Sequence, residues 1–161
     1  MWNLNKQERL LAWQSFRKSL DSMSLDDCVK TVNKHWWTAP ISTQFFCQTL
    51  PEQWPDPWQL IVDNFYDDIA RALGMLYTIY YSEHDCDAQL VCGMYEGNEY
   101  NLVLIDGGKY TLNWDTACHV NTPLHKKLTN VKCFAAEQLV KRYNNESNNT
   151  SNKTQRQQRV N

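Results

Sequence analysis

The sequence predicts an α+β domain over residues 1–143, with N-terminal helices, a central buried helix and a three- or four-stranded antiparallel sheet. Two observations predict it. Apolar residues recur at helical spacing up to about Ser82 and then at a period of two from Ala88. The extended stretches are separated by the short turn signals Glu96-Gly97-Asn98 and Asp106-Gly107-Gly108.

Each element has a local cause. Leu10, Trp13, Phe16 and Leu20 form one stripe of a helix over Lys6–Leu20, with Glu8, Arg9, Arg17 and Lys18 on its wet face. Ser24 can accept a bond from a free amide at the start of a second helix that ends near Trp36, ahead of Pro40. In Trp54-Pro55-Asp56-Pro57-Trp58-Gln59, Asp56 suits an N-cap, Pro57 the first helical position and Gln59 the reciprocal capping position. Trp54 and Trp58 can staple that corner or face a partner. A short helix over Pro57–Asp63 then precedes a longer one over Tyr66–Ser82, apolar on most sides and so buried. Strands follow over Ala88–Tyr95, Glu99–Ile105 and Lys109–Trp114, and a last helix over Phe134–Tyr143. Phe45, Phe46 and Leu50 are expected inside, but residues 41–53 and 115–133 show no winning period.

Composition narrows the function classes. Apolar residues make up 42 % of the 161 and aromatics 12 %, including seven Trp and eight Tyr, enough for a sizeable core and for interface anchors. Residues 1–143 carry 13 Lys and Arg against 17 Asp and Glu, which argues against a dedicated nucleic-acid binder. The longest apolar run, near Ala72–Tyr81, is too short to span a bilayer, so no membrane partner is expected. Met1-Trp2-Asn3-Leu4 does not read as a secretory leader, and cytoplasmic synthesis is the expectation. The six cysteines show no two-residue pairing and read as free thiols, with no metal or other cofactor implied. From Asn144 onward Asn, Ser, Thr and Gln dominate, and Val160 is the only apolar residue, so residues 144–161 read as a polar flexible tail.

Chemistry centres on Tyr66-Asp67-Asp68-Ile69-Ala70, followed by Tyr100-Asn101-Leu102-Val103-Leu104 and Tyr110-Thr111-Leu112-Asn113-Trp114. A buried helix followed by antiparallel strands resembles the transglutaminase-like, papain-related cysteine hydrolases over about sixty residues. In that family a Cys opens the helix, a His lies on a following strand and an Asp or Asn on the next. The helix N-terminus favours a thiolate, the His acts as base and the carboxylate orients it. The resemblance puts Tyr66 at the nucleophile position, Tyr100 or Asn101 at the base and Asn113 at the acid. Neither nucleophile nor base has the required chemistry near pH 7. The implied protein is a degenerate member retained for its shape, with no catalytic residue assigned.

Other constellations are weaker. Cys118 and His119 are adjacent in an extended segment and should point to opposite faces. Asp63, Asp67 and Asp68 are explained by helix capping and the helix dipole. The leading expectation is therefore a noncatalytic structural or protein-interaction component. Its Asn-rich small-domain style resembles products of large tailed bacteriophages, hence a virion part of neck, tail, baseplate or capsid surface. Partners would dock on Trp36, Trp37, Trp54 and Trp58, and a larger assembly would order the tail through Lys153, Arg156 and Arg159. Two alternatives remain open. One is a cysteine hydrolase or peptidase with a rearranged site, pairing Cys118 or Cys92 with His119 or His84. The other is a nucleic-acid-associated protein using Lys126, Lys127, Lys132 and the basic tail beside exposed aromatics. Deleting Asn144–Asn161 should leave the melting temperature nearly unchanged, since so polar a segment buries little; a drop of several degrees in a thermal scan would show that it packs on the domain.

Overall fold

The computed structural model describes residues 1–43 and 45–141. The polar segment 144–161, with Lys153, Arg156 and Arg159, lies outside them. Four helices come first: α1 (Lys6–Leu20), α2 (Leu25–Trp36), α3 (Pro57–Asp63) and α4 (Asp68–Tyr80). Five strands follow: β1 (Ala88–Tyr95), β2 (Asn98–Ile105), β3 (Tyr110–Leu112), β4 (His119–Val120) and β5 (Thr129–Ala135). They form one antiparallel sheet in the order β4-β3-β2-β1-β5, and residues 136–141 are helical again. The fold is α+β. Its sheet exceeds the expected three or four strands because residues 115–133, which carry no readable period, supply β4 and β5. The last helix starts later than Phe134, since Phe134 and Ala135 still pair with β1. Among the described residues no helix is long and apolar enough to cross a membrane.

The helix starts follow their caps. Ser24 Oγ accepts from Asp27 N, and Asp56 Oδ1 accepts from Trp58 N and Gln59 N. The reciprocal capping box occurs elsewhere, on α1: Asn5 Oδ1 accepts from Glu8 N and Glu8 Oε2 from Asn5 N. Gln59 instead reaches forward to Asp63. At the first hairpin, Glu96 (φ 49°) and Gly97 (φ 80°) both take positive φ, the pairing that a twist-matched two-residue turn needs.

The core lies between the helices and the inner sheet face. Trp13, Val32, Trp36, Leu73, Leu76 and Tyr77 meet Leu90, Val103, Ile105 and Leu112 there. At its centre Thr78 Oγ1 accepts 3.0 Å bonds from the indole N–H groups of both Trp13 and Trp36, and donates to the Gly74 carbonyl at 2.6 Å. A Cβ at Gly74 would stand 2.3 Å from the Trp36 ring, so α2 can approach α4 this closely only over a glycine.

Several surface expectations are corrected here. Trp36 and Trp54 are 0 % and 2 % exposed, Trp36 against α4 and Trp54 edge-on to Phe134, so neither can anchor a partner in this fold. Trp58 packs on Trp13 and Tyr81 and stays half exposed. Trp37 is half-buried under the Arg71 guanidinium. Arg9 leaves its expected wet face. It is buried and donates to the carbonyls of Leu4, Ile61 and Val62, closing the last turn of α3 with a cation. Phe45 is 82 % exposed against an expectation of burial, and Leu50 is exposed as well.

The outer sheet face has a smaller cluster. Val91, Leu102 and Leu104 lie under Leu128, bordered by Tyr95, Tyr100 and Trp114. At the sheet edge, Thr129–Cys133 of β5 are exposed. Replacing Thr78 by Val should strip two buried indole donors of their acceptor and cost about 2–4 kcal/mol in urea unfolding, whereas Thr78→Ser should lose about 1 kcal/mol.

Candidate functional site at the head of the central helix

The start of α4 is set by Asp67, whose Oδ1 accepts from Ala70 N at 2.7 Å while Oδ2 accepts from Phe46 N. The helix therefore opens on Asp68, two residues later than expected, and Tyr66 lies outside it. Tyr66 is buried among Trp2 and Trp36, edge-on to both, and its hydroxyl has no hydrogen-bond partner. Burial raises its pKa far above the ordinary value. It takes no part in the polar centre.

The residue that meets the strands is Asp68. Asn101 Nδ2 donates to Asp68 Oδ2 at 2.9 Å, and Asn113 Nδ2 to Asp68 Oδ1 at 3.1 Å. The Asn113 amide also reaches the Asp68 carbonyl (3.2 Å) and the Asn101 carbonyl (2.8 Å). Gln48 Nε2 holds the other end of Asn101, donating to its Oδ1 at 2.8 Å. Asn113 sits at φ 63°, a left-handed conformation that Asn tolerates, and its N–H donates to Asn33 Oδ1 on α2 at 2.9 Å. Asn101, Asn113 and Asn33 are all buried. The result is a polar knot tying α2, α4, β2, the end of β3 and the loop at Gln48 to one carboxylate.

Of the four positions expected to converge, Asn101 and Asn113 do so and Tyr66 and Tyr100 do not. Strand alternation decides the second case. Asn101 shares the inner face with Val103 and Ile105, whereas Tyr100 turns to the outer face and stacks on Trp114 at 4.6 Å and 19°. Gln48 and Asn33 carried no sequence signal, since single amides in a loop and on a helix have no periodic signature. Asp68 was visible only as part of an acidic helix start.

The electrostatics follow from burial. Desolvation raises the Asp68 pKa above the usual carboxylate range, against the lowering effect of the Asn101 amide, the Arg71 charge and the Asn113 amide. Asp67 is raised for the same first reason. Cys92 stands opposite Asn101 on β1, and its thiol is pushed up to about 12 by burial, then by the Asp68 carboxylate. That is the reverse of what a thiolate nucleophile needs.

Among the described residues no hydrogen bond joins Cys118 or Cys92 to His119 or His84. His119 Nε2 lies 3.0 Å from Asp115 Oδ2, while Cys118 feels Lys30 and Asp26 of α2 and is raised to about 11, mainly by burial. His84 Nε2 meets the Leu20 carbonyl at 3.1 Å. Among the described residues no group of three or more His, Cys, Asp and Glu could hold a metal ion. No family model, no curated protein and no solved structure matches the chain.

His35, near Tyr66 in the same aromatic cluster, stacks on Phe16 at 4.0 Å, and its pKa is lowered to about 4 by burial, then by the amino terminus. The folded state thus holds His35 neutral while the unfolded chain protonates it near pH 6.5. This contribution to stability is intact above pH 6.5 and is lost as pH falls toward 4. Allowing for the ring's partial exposure, the loss should be about 2 kcal/mol. Urea unfolding at stepped pH should show it in the wild type and lose it in His35→Phe.

Proposed function

We propose that this chain is a noncatalytic structural or protein-interaction component, built on a scaffold that resembles a cysteine hydrolase but holds a carboxylate–amide knot at the reactive position. The observation that carries the reading is the Asp68 carboxylate at the head of α4, bound by the side-chain amides of Asn101 and Asn113, while Tyr66, at the position the resemblance gives to the nucleophile, is buried among aromatic rings. Amides neither accept nor release protons near neutral pH, and here both donate to the Asp68 carboxylate. Such a knot suits positioning: it fixes the helix head against the sheet and holds Gln48, and with it the loop at 45–50, on the surface. The assembly we propose is a bacteriophage virion, supported by the Asn-rich composition and the polar, partner-seeking character of 144–161. Recovery of the chain at fixed stoichiometry in gradient-purified particles would support that setting, and its absence from them would remove it.

One observation favours a second reading, a nucleic-acid-associated protein. The Lys127 ammonium lies 5.6 and 5.9 Å from the Tyr95 and Trp114 rings, beside the Tyr100–Trp114 stack. Binding of a single-stranded oligonucleotide that weakens steeply with salt and with Trp114→Ala would promote this reading over the first.

The noncatalytic reading is tested by thiol chemistry. In native protein near pH 8, iodoacetamide should modify Cys47 first. It is exposed, and its pKa is lowered by a bond from the Thr49 side chain. Cys92 and Cys118 should lag, because burial holds their thiols protonated. Capture of a peptidyl electrophile by Cys92 or Cys118 faster than by free cysteine would overturn the reading.

A further inference from the structure

Arg17, in the last turn of α1, is a partly buried guanidinium set among aromatic rings. Its Cζ lies 4.1 Å from the centroid of the Trp13 ring, 5.4 Å from that of Tyr81 and 5.7 Å from that of Trp58. The rings also meet one another, Trp13 and Trp58 at 5.4 Å and Trp58 and Tyr81 at 5.7 Å. The four side chains are therefore one contiguous cluster, where α1, the start of α3 and the end of α4 come together. Trp13 is its buried floor, whereas Trp58 is 49 % exposed. Tyr80, edge-on to Tyr81, is exposed as well.

A guanidinium carries five N–H donors in a fixed plane. On the same helix, Arg9 donates to three carbonyls. Among the described residues Arg17 makes no hydrogen bond and no ion pair, and its Nε is sealed from solvent without an acceptor. The ring faces attract the charge but leave its in-plane donors unmet. Burial lowers the Arg17 pKa, against the raising effects of Tyr81 and Asp21. The two carboxylates that act on the cluster are held by backbone N–H groups. Asp21 Oδ1 accepts from Glu83 N at 3.1 Å, and Asp56, which acts on Tyr81, caps α3.

We propose that Arg17, Trp58 and Tyr81 form the docking site for an Asp or Glu of a partner protein that stands beside an apolar side chain. The carboxylate is taken by the guanidinium, and its apolar neighbour lies on the Trp58 ring. Two oxygens in one plane match the paired N–H groups of a guanidinium, which a single carbonyl does not. The rings keep water from one side of that pair and so strengthen it. Arg, Trp and Tyr are also the side chains on which interface energy concentrates. This rests on the interaction reading above and assigns it to a surface: of Trp36, Trp37, Trp54 and Trp58, it is Trp58 that is exposed.

The test uses the full chain, isotope-labelled, and three blocked peptides: Glu-Phe-Glu, Gln-Phe-Gln and Lys-Phe-Lys. The side-chain N–H resonances of Arg17 and Trp58 are followed by NMR. The Glu peptide, titrated to millimolar concentration, should move both along one saturating curve. The Gln peptide should bind about tenfold more weakly, since its amides are neutral. Arg17→Met keeps an unbranched stem over Trp13 without the guanidinium, and should weaken the Glu peptide about tenfold. Trp58→Ser should weaken it too, and Arg17→Lys should recover part of the loss, because charge returns without the planar fork. Raising salt from about 0.1 to about 0.5 M should weaken it in the wild type. Urea unfolding checks that each variant folds; should Arg17→Met not fold, Trp58→Ser and the salt series decide. Equal binding of the Gln or Lys peptide, a Trp58→Ser titration matching the wild type, or no saturating shift at Arg17 and Trp58 would overturn the proposal. So would a concentration-dependent dimer abolished by Trp58→Ser, which would make the occupant a second copy. A shift of the Arg17 resonance on deleting residues 144–161 would overturn it in favour of the chain's own tail. Failure of the peptide titration with thiols still slow would leave the noncatalytic reading standing; rapid electrophile capture at Cys92 or Cys118 would remove that reading itself.

Discussion

The architecture turns on one hydroxyl. Thr78 Oγ1 takes the indole N–H of Trp13 from α1 and of Trp36 from α2, and returns its own proton to Gly74 one turn back on α4. Two large, otherwise apolar side chains each bring one polar atom into the core, and an unmet donor there costs a large part of what burying the ring contributes. A single acceptor with two lone pairs meets both. The same geometry requires bare backbone at Gly74, since the Trp36 ring occupies the space of a side chain. Helix–helix packing, hydrogen bonding and glycine placement are thus one constraint seen three ways.

That constraint fixes the rest by position. With α2 held against α4, Asn33 reaches the backbone of Asn113, and Asn113 reaches Asp68. The helix head and the end of β3 are then held in register. Asp68 remains a carboxylate shared by two amides, with its ionised form disfavoured by burial and favoured by its donors. The same network reaches the surface through Gln48, which ties its loop to Asn101.

Much of this was legible in the sequence, and the failures have physical reasons. Ser24 and Asp56 are short-range caps, so the helix starts they mark can be read from neighbours alone, whereas α4 starts two residues later than read because its cap is Asp67. The strand phase of β2 could not be read, because Leu102, Val103, Leu104 and Ile105 are all buried, one pair under α4 and the other under Leu128. Without alternation, Tyr100 and Asn101 compete for the same inward position. β5 escaped notice for the opposite reason: most of it is exposed on both faces, so it has no apolar face to announce it. Arg9 on α1 looked like one more solvated cation. Its role depends on α3 ending some fifty residues away, and no local pattern records that.

Among the described residues the sheet ends on β5, with no strand beyond it, and most of the side chains of β5 are exposed. Such a border can recruit foreign backbone as readily as native backbone. Lys132 stands in the middle of it, and Val131 beside it is 45 % exposed. The lone positive charge works as a gatekeeper there: neighbouring molecules aligning edge to edge would bring like charges together. Neutralising Lys132 would leave the folded monomer nearly as stable and would change its colloidal behaviour, so that concentration rather than temperature would become the condition the protein tolerates least.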